Sequence, residues 1–494
     1  MHYVPIRRII TESKFRGLAP ELLANIFSSL PRRDLAHVVR VCKSFNLSGC
    51  LLLYQHIDLR SNDLYLEYTL DFLRGHESID QKIVSAVLTT MPPTLIQTQQ
   101  VYQWIAPDIA KRWINLRSLE LRGYPFSNGP GSDRFVYTLH SCCHQLRRFV
   151  YRPGFRTLPD TFDLSRLQEI EGHFGQNDSD SDYCLPLNET MFASKNTITH
   201  ISFVGEIRGE IYSSLHTFRF PCLRSLELGT LAHAENPAQV NTQITRFILD
   251  HPQITHLSLG KTRPLVENNV TNAHDLFLQF DGNHLLRDSL PLLRSFEGFL
   301  ENITLLASHN VQSIFTLASL SIYCPYKDTT LSERLKQMVR AIMHADTTPR
   351  DQKFPFVRKL RLEFFTELHS MMEQDTTSLI HRECMDQFAE LCPGVTSWYG
   401  RLPPMTSTHL GIMFGIPQYV ETISLPWSTI SIRKESEILE YFKAIAARCK
   451  HLKTVIARKS EDTTGNNLIY VLHRDRYGAL SSVTVLPVSD DCYV

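Results

Sequence analysis

The 494 residues carry 51 Lys+Arg against 51 Asp+Glu, so no net field draws the chain to nucleic acid or to an anionic membrane. Hydrophobic residues make up 43% and charged residues 21%, an ordinary globular composition, and no run approaches the roughly 18–20 apolar residues that cross a bilayer. The length suggests about three domains, a count that gives way if the chain is a repeat array.

The N-terminus, MHYVPIRRIITESKFRG, is basic but lacks an apolar core of signal-peptide length. Triplets such as Asn302-Ile303-Thr304 therefore read as chance glycosylation matches. Eleven scattered cysteines are too few for a disulfide framework in a chain this long. The expected compartment is the cytosol or the nucleus, with residues 1–14 as a tail.

Leu18, Leu22, Leu23, Ile26, Phe27 and Leu30 then form a helical stripe. Pro20 and Glu21 fall in its first turn, where a missing N–H costs nothing and a carboxylate suits the helix dipole. Pro31 closes this helix and Asp34 is expected to cap a second. The second helix has Leu35, Val38, Val39, Cys42 and Phe45 at helical spacing, and a short apolar run follows at Leu51–Tyr54. Some forty residues bury too little apolar surface to stand alone, so this module needs a partner surface in the chain or in another protein.

The order of these residues resembles the F-box. Leu18, Pro20, Glu21, Leu22, Leu23, Ile26, Phe27, Leu30, Asp34, Leu35, Val41, Cys42, Lys43 and Phe45 carry the likeness, with Leu53, Tyr54 and Ile57 trailing. It covers about residues 15–58. Ala19 stands where proline is common and Phe45 where tryptophan is more usual, changes expected to weaken partner binding rather than abolish it. The resemblance implies a three-helix module that packs on the Skp-type adaptor of cullin–RING ubiquitin ligases. Leu18, Pro20, Glu21, Leu22, Leu23, Ile26, Phe27, Leu30, Leu35, Val39, Val41, Cys42 and Phe45 are its expected adaptor-binding residues.

Residues 59–112 read as a mostly helical linker, with TLDFLR, KIVSAVL and VYQWIAPDIAKRWI as apolar segments. From residue 116 a six-residue pattern of apolar-x-x-apolar-x-apolar recurs. Clear copies are LRSLEL (116–121), ITHISF (198–203), LRSLEL (223–228), ITHLSL (254–259), VRKLRL (357–362) and VETISL (420–425). Seven degenerate copies begin at residues 146, 167, 293, 317, 395, 452 and 480. The central apolar residue runs from Leu119 to Val483 at a mean spacing of about 30 residues, and helical segments such as ITRFILDHPQI and EYFKAIAARCKHL often precede it. The pattern resembles the cysteine-containing leucine-rich repeats found behind many F-boxes. The fold class expected is α/β: an N-terminal three-helix F-box, then an irregular leucine-rich-repeat solenoid over 113–494 with a concave parallel sheet. An ordinary α/β protein with several parallel strands is the alternative. Polar stretches at 175–184, near 261–275 and at 461–467 read as loops or turns.

No phosphate-binding glycine loop, zinc-protease helix or nucleophile elbow occurs, so no catalytic residue, metal or cofactor is expected. The cluster Cys142-Cys143-His144 lacks a second ligand pair. Cys143, Cys392, Cys449 and His251 each precede a repeat's first apolar residue by three, a position that Trp113, Phe220, Leu290 and Phe354 fill elsewhere. That register argues for buried packing. His200 and His256 precede the central apolar residue and are expected on the open face, solvated. The fifth repeat position faces the same way. It reads acidic in alternation early on and turns basic and aromatic around Lys359, Arg361, Tyr399 and Arg401, the expected target-binding residues.

Together with these readings, the F-box resemblance implies a non-catalytic substrate receptor of a Skp–cullin–F-box ubiquitin ligase. It would hold an unidentified target protein near a ubiquitin-loaded enzyme and need neither nucleic acid nor membrane. Two rivals remain: a repeat scaffold whose F-box-like helices only cap the solenoid, and an enzyme with an unrecognised site.

Overall fold

The computed structural model describes residues 18–60, 66–76, 79, 81–90, 110–123, 138–139, 141–151, 164–174, 190–232, 234, 236–260, 273–274, 277–279, 289–309, 311–325, 331–344, 354–365, 388–400, 419–426, 435–458, 467–475 and 478–488. The expected tail 1–14, the loop 175–184 and Arg401 lie outside them. Two compact units divide the chain, Met1–Ser165 and Arg166–Val494.

The first unit opens with three helices, α1 (Pro20–Ser28), α2 (Arg32–Val38) and α3 (Lys43–Leu53). Pro20 starts α1 and Glu21 lies in its first turn, as expected. Asp34 does not cap α2: Pro31 does, and Asp34 sits inside the first turn. The apolar spacing that suggested one helix through Phe45 spans a break. Arg40 and Val41 donate to His37 and Val38, tightening the chain into i→i+3 turns. Cys42 is then extended at φ −157°, and α3 begins at Lys43. No glycine or proline marks this stop.

Strands β1 (His56–Arg60), β2 (Ser85–Thr90), β3 (Ser118–Gly123) and β4 (Arg148–Tyr151) follow, with α4 (Leu66–Gly75) between the first two. They pair in parallel, with Ile57, Ala86, Leu119 and Phe149 in register. The segment expected to be mainly helical thus holds α4 but also supplies one whole strand, β2, and the last two residues of β1. KIVSAVL is β2, not a helix: Ile83, Ala86 and Leu88 occupy the three apolar positions of the repeat and are buried.

The second unit continues the same local architecture. Its parallel strands are β5 (Glu169–Phe174), β6 (His200–Arg208), β7 (Ser225–Ala232), β8 (His256–Leu259), β10 (Ser295–Phe299), β11 (Ser319–Pro325), β12 (Lys359–Phe365), β13 (Ser397–Gly400), β14 (Thr422–Pro426) and β15 (Thr454–Arg458). Each pairs with the next, and a two-residue β9 (Ala273–His274) lies antiparallel to β7. Helices α5 (Gly209–Leu215), α6 (Pro237–Leu249), α7 (Leu300–Ser308), α8 (Leu331–His344) and α9 (Glu435–Arg448) lie between strands, and a 3-10 turn spans Gln312–Thr316. In α6, Asn236 caps the Gln239 amide and Pro237 fills the first position, so the local sequence specifies the start.

One hydrogen-bond pattern recurs between the parallel strands within each unit. The amides of Arg224 and Ser225 both donate to Thr199 O, those of Thr255 and His256 to Arg224 O, and those of Arg294 and Ser295 to Thr255 O. The pattern recurs through Lys453 and Thr454 on Glu421 O, and in the first unit from Val84 and Ser85 on Gln55 O. The apolar positions behind these bonds stack into one buried layer. Ile170, Ile201, Leu226, Leu257, Phe296, Leu320, Leu360, Trp398, Ile423 and Val455 are all buried, each in register with its neighbour. Burying such a side chain is worth about 1.5–3 kcal/mol. The thirteenth expected copy, LSSVTV, departs from the rest. It lies in β17 (Leu480–Val488), antiparallel to β16 (Asn467–Arg474), which is itself antiparallel to β15.

Candidate partner-docking sites

The three N-terminal helices divide their apolar residues between an inside and an outside. Leu23, Phe27, Leu35 and Val39 form the buried centre, with Leu18, Leu30, Val38, Phe45, Leu52 and Leu53 packed around it. The Phe27 and Phe45 rings meet edge to face at 5.2 Å. Gly49 lets α3 approach closely: a Cβ there would stand 2.7 Å from Val39 and 3.2 Å from Leu35 and Phe27.

The neighbouring positions face outward. Leu22 is 51% exposed, Ile26 48% and Val41 50%, and Pro20, Glu21 and Cys42 are exposed beside them. Leu22 and Ile26 are four apart on α1, so they share one helical face. The expected adaptor-binding set thus separates. Pro20, Glu21, Leu22, Ile26, Val41 and Cys42 offer surface, whereas Leu23, Phe27, Leu35 and Val39 hold the module together. Leu47 and Leu51, absent from that set, are also exposed and lie four apart on α3. Their spacing was the signal available in the sequence.

The second candidate lies mid-sheet in the second unit. Arg361 on β12 and Tyr399 on β13 are register partners, and the guanidinium sits 4.4 Å above the ring. Arg361 also approaches Glu297 at 3.9 Å, and Tyr323 donates its hydroxyl to the same carboxylate. Arg361 and Tyr399 are half-buried, while Lys359 at the strand start is exposed.

The fifth repeat position is not the solvated row that the pattern suggested. Ser202, Ser258, Glu297, Ser321 and Ser424 are buried. The serines are recessed between longer neighbours: Ser202 between Glu171 and Glu227, Ser258 between Glu227 and Glu297, Ser321 between Glu297 and Arg361. The glutamates have partners within the chain. His173 meets Glu171 at 2.5 Å, Ser202 donates to Glu227 at 2.8 Å, and His256 lies 3.3 Å from Glu227. His200 is half-buried, and burial pushes its pKa down against the pull of Glu227, Glu169 and Glu171.

The position three before each repeat packs inward. Trp113, Cys143, Phe220, His251, Leu290, Phe354, Cys392 and Cys449 are all buried. Burial pushes the Cys143 thiol up to about 12 and that of Cys392 well above its ordinary range, which leaves neither a ready nucleophile. Cys142 is half-buried and His144 exposed. Among the described residues no group of three His, Cys, Asp or Glu side chains could hold a metal ion, and no helix is long and apolar enough to cross a membrane.

Residues 20–60 thus form a small helical module with a closed core and an exposed apolar face, leading into a strand array. A family model described as F-box-like matches residues 20–60, from the first residue of α1 to the last of β1. Those residues form an F-box-like domain, and F-box domains in general bind Skp-type adaptors. No curated protein matches the chain.

Proposed function

We propose that this chain is the substrate-recognition subunit of a Skp–cullin–F-box ubiquitin ligase. The observation that carries the reading is the split within the F-box-like module. Leu22, Ile26 and Val41 stay about half exposed while Leu23, Phe27, Leu35 and Val39 complete the core without them. An adaptor surface over Leu22 and Ile26 removes from water an apolar patch that is about half exposed. The strand array, read as an irregular leucine-rich-repeat solenoid, holds the target protein. Its candidate contacts are Lys359, Arg361, Tyr399 and Arg401. The chain forms no bond itself. It raises the local concentration of target beside the ubiquitin-loaded enzyme, turning an encounter into an effectively intramolecular step. Cytosol or nucleus is the compartment that fits such a role.

Co-expression with a Skp-type adaptor, followed by size-exclusion chromatography, tests this. A stoichiometric complex is expected, and Leu22→Asp with Ile26→Asp should abolish it while leaving the array folded. Both positions are outward-facing, so the carboxylates stay hydrated in the free chain and become buried and unpaired only on docking. An adaptor complex that survives the double substitution, or a folded chain that ignores the adaptor, overturns the proposal. The latter result would make the helices a cap on a repeat scaffold.

A further inference from the structure

The cations at the mid-sheet candidate and those at the strand starts differ in their surroundings. Arg361 already has Glu297 and Tyr399. One residue before each strand, Arg294 and Arg358 are exposed and have no carboxylate partner among the described residues. Arg358 donates only to the carbonyl of Gly394, at 2.8 Å. A Cβ at Gly394 would collide with that guanidinium and come within 3.0 Å of Pro355 O, so the bare backbone there leaves room for the Arg358 side chain.

Large apolar side chains stand in the same edge. Strands β10 to β14 run in register through Ser295, Ser319, Lys359, Ser397 and Thr422. Three residues before these come Leu292, Thr316, Phe356, Gly394 and Tyr419. Leu292 is 48% exposed, Phe356 56% and Tyr419 59%. Apolar knobs therefore alternate with small residues, one on every second strand. Neighbouring strands lie roughly 4.8 Å apart, so the knobs repeat at roughly 10 Å. Two turns of an α-helix advance about 10.8 Å. A helix laid across the strand starts would bring residues seven apart onto Leu292, Phe356 and Tyr419. Acidic residues beside them would reach Arg294 and Arg358.

We infer that the strand-start edge of β10 to β14 is a docking surface for an acidic amphipathic helix of a partner protein. Charge decides the class of partner. Among the described residues the two arginines have no carboxylate partner, and at this edge Glu421 is already tied to Lys453 at 2.9 Å. Arg and Tyr are also residue types that concentrate binding energy at interfaces. The inference rests on the reading of the array as the target-holding part, and it moves the grip from the middle of β12 and β13 to their beginnings.

The full chain in complex with a Skp-type adaptor is the material for the test; the chain alone serves if no complex forms, and that failure counts against the ligase reading only. The probe is a fluorescein-labelled helical peptide of about three heptads, with leucine at every seventh residue and glutamates flanking it. A second peptide carries lysine for glutamate. Anisotropy at low salt should show saturable binding of the acidic peptide and none of the basic one. Arg294→Glu with Arg358→Glu, or Phe356→Ala alone, should weaken it by about tenfold or more, with thermal melting confirming that each variant is folded. Phosphatidylserine vesicles form the other arm. No saturable binding, binding that these variants leave unchanged, or vesicle binding without peptide binding overturns the inference.

Discussion

His251 ties two steps of the array together: its Nε2 accepts the backbone amide of Phe220 at 2.9 Å while its Nδ1–H donates to Phe247 O at 2.6 Å. The ring is buried and needs its neutral form, because Nε2 must stay free of a proton to accept. Burial lowers its pKa in the fold, against the raising effects of the Phe247 carbonyl and Asp250. The unfolded chain, near the ordinary value of about 6.5, takes up that proton more readily. The stability this residue contributes is therefore complete above about pH 6.5 and is lost as pH falls from there toward the lower folded value. Urea unfolding between pH 7.5 and pH 5 should show that decline. His251→Phe should lower stability at pH 7.5 by about 1–3 kcal/mol through the orphaned Phe220 amide. It should also flatten the pH slope without removing it, since burial lowers His200 as well. An unchanged slope would show that the ring does not titrate with folding.

The cysteines separate by depth. Cys42 and Cys222 are exposed, whereas Cys143, Cys392 and Cys449 are buried at the position three before a repeat. Alkylation of the native chain at pH 8, read site by site by mass spectrometry, should label Cys42 and Cys222 early and leave Cys392 and Cys449 intact until urea unfolds the array. Cys392→Ser should destabilise by about 1–3 kcal/mol, because its apolar slot offers a hydroxyl no solvent. Rapid labelling of Cys392 in the native chain would mean that this position opens to solvent.

The same inward position was readable in the sequence because one physical demand recurs: the turn before each strand needs a side chain to fill the same slot, whether Trp113, Phe220, His251 or Cys449. The six-residue pattern was readable for a like reason, since its fourth and sixth residues share one face of a strand. What it lacks is direction. LSSVTV satisfies the pattern yet pairs antiparallel, as hydrogen-bond polarity leaves no trace in apolar spacing. Ala86 hid β2, because a buried alanine is a weak apolar signal. At the docking module, Leu22 and Leu23 are neighbours of one residue type, as apolar as Ile26 and Phe27. Only the arrival of α2 and α3 decides that one of each pair goes inside and the other out. The burial of Glu297 was hidden too, because its partner Tyr323 lies on the next strand, 26 residues away.

That pairing separates structural from target-binding roles at the mid-sheet candidate. Glu297 is nearly buried, and Tyr323 and Arg361 are the groups that offset its charge. Tyr323→Phe removes a donor from a poorly solvated carboxylate and should lower stability by about 1–3 kcal/mol. Arg361→Ala removes the nearby cation and its stacking on Tyr399, and should also destabilise. Combining Arg361→Ala with Glu297→Gln should lose less than the sum of the two, since each removes the reason for the other. Lys359→Ala, at an exposed strand start, should stay within about 0.5 kcal/mol of the parent. Chemical unfolding of the five variants, the single Glu297→Gln included, checks this directly. If Arg361→Ala is as stable as the parent, its contacts with Glu297 and Tyr399 contribute little to the fold. If it is destabilised and the cycle is non-additive, Arg361 belongs first to the fold, and any loss of target binding on its removal must be corrected for that loss of stability.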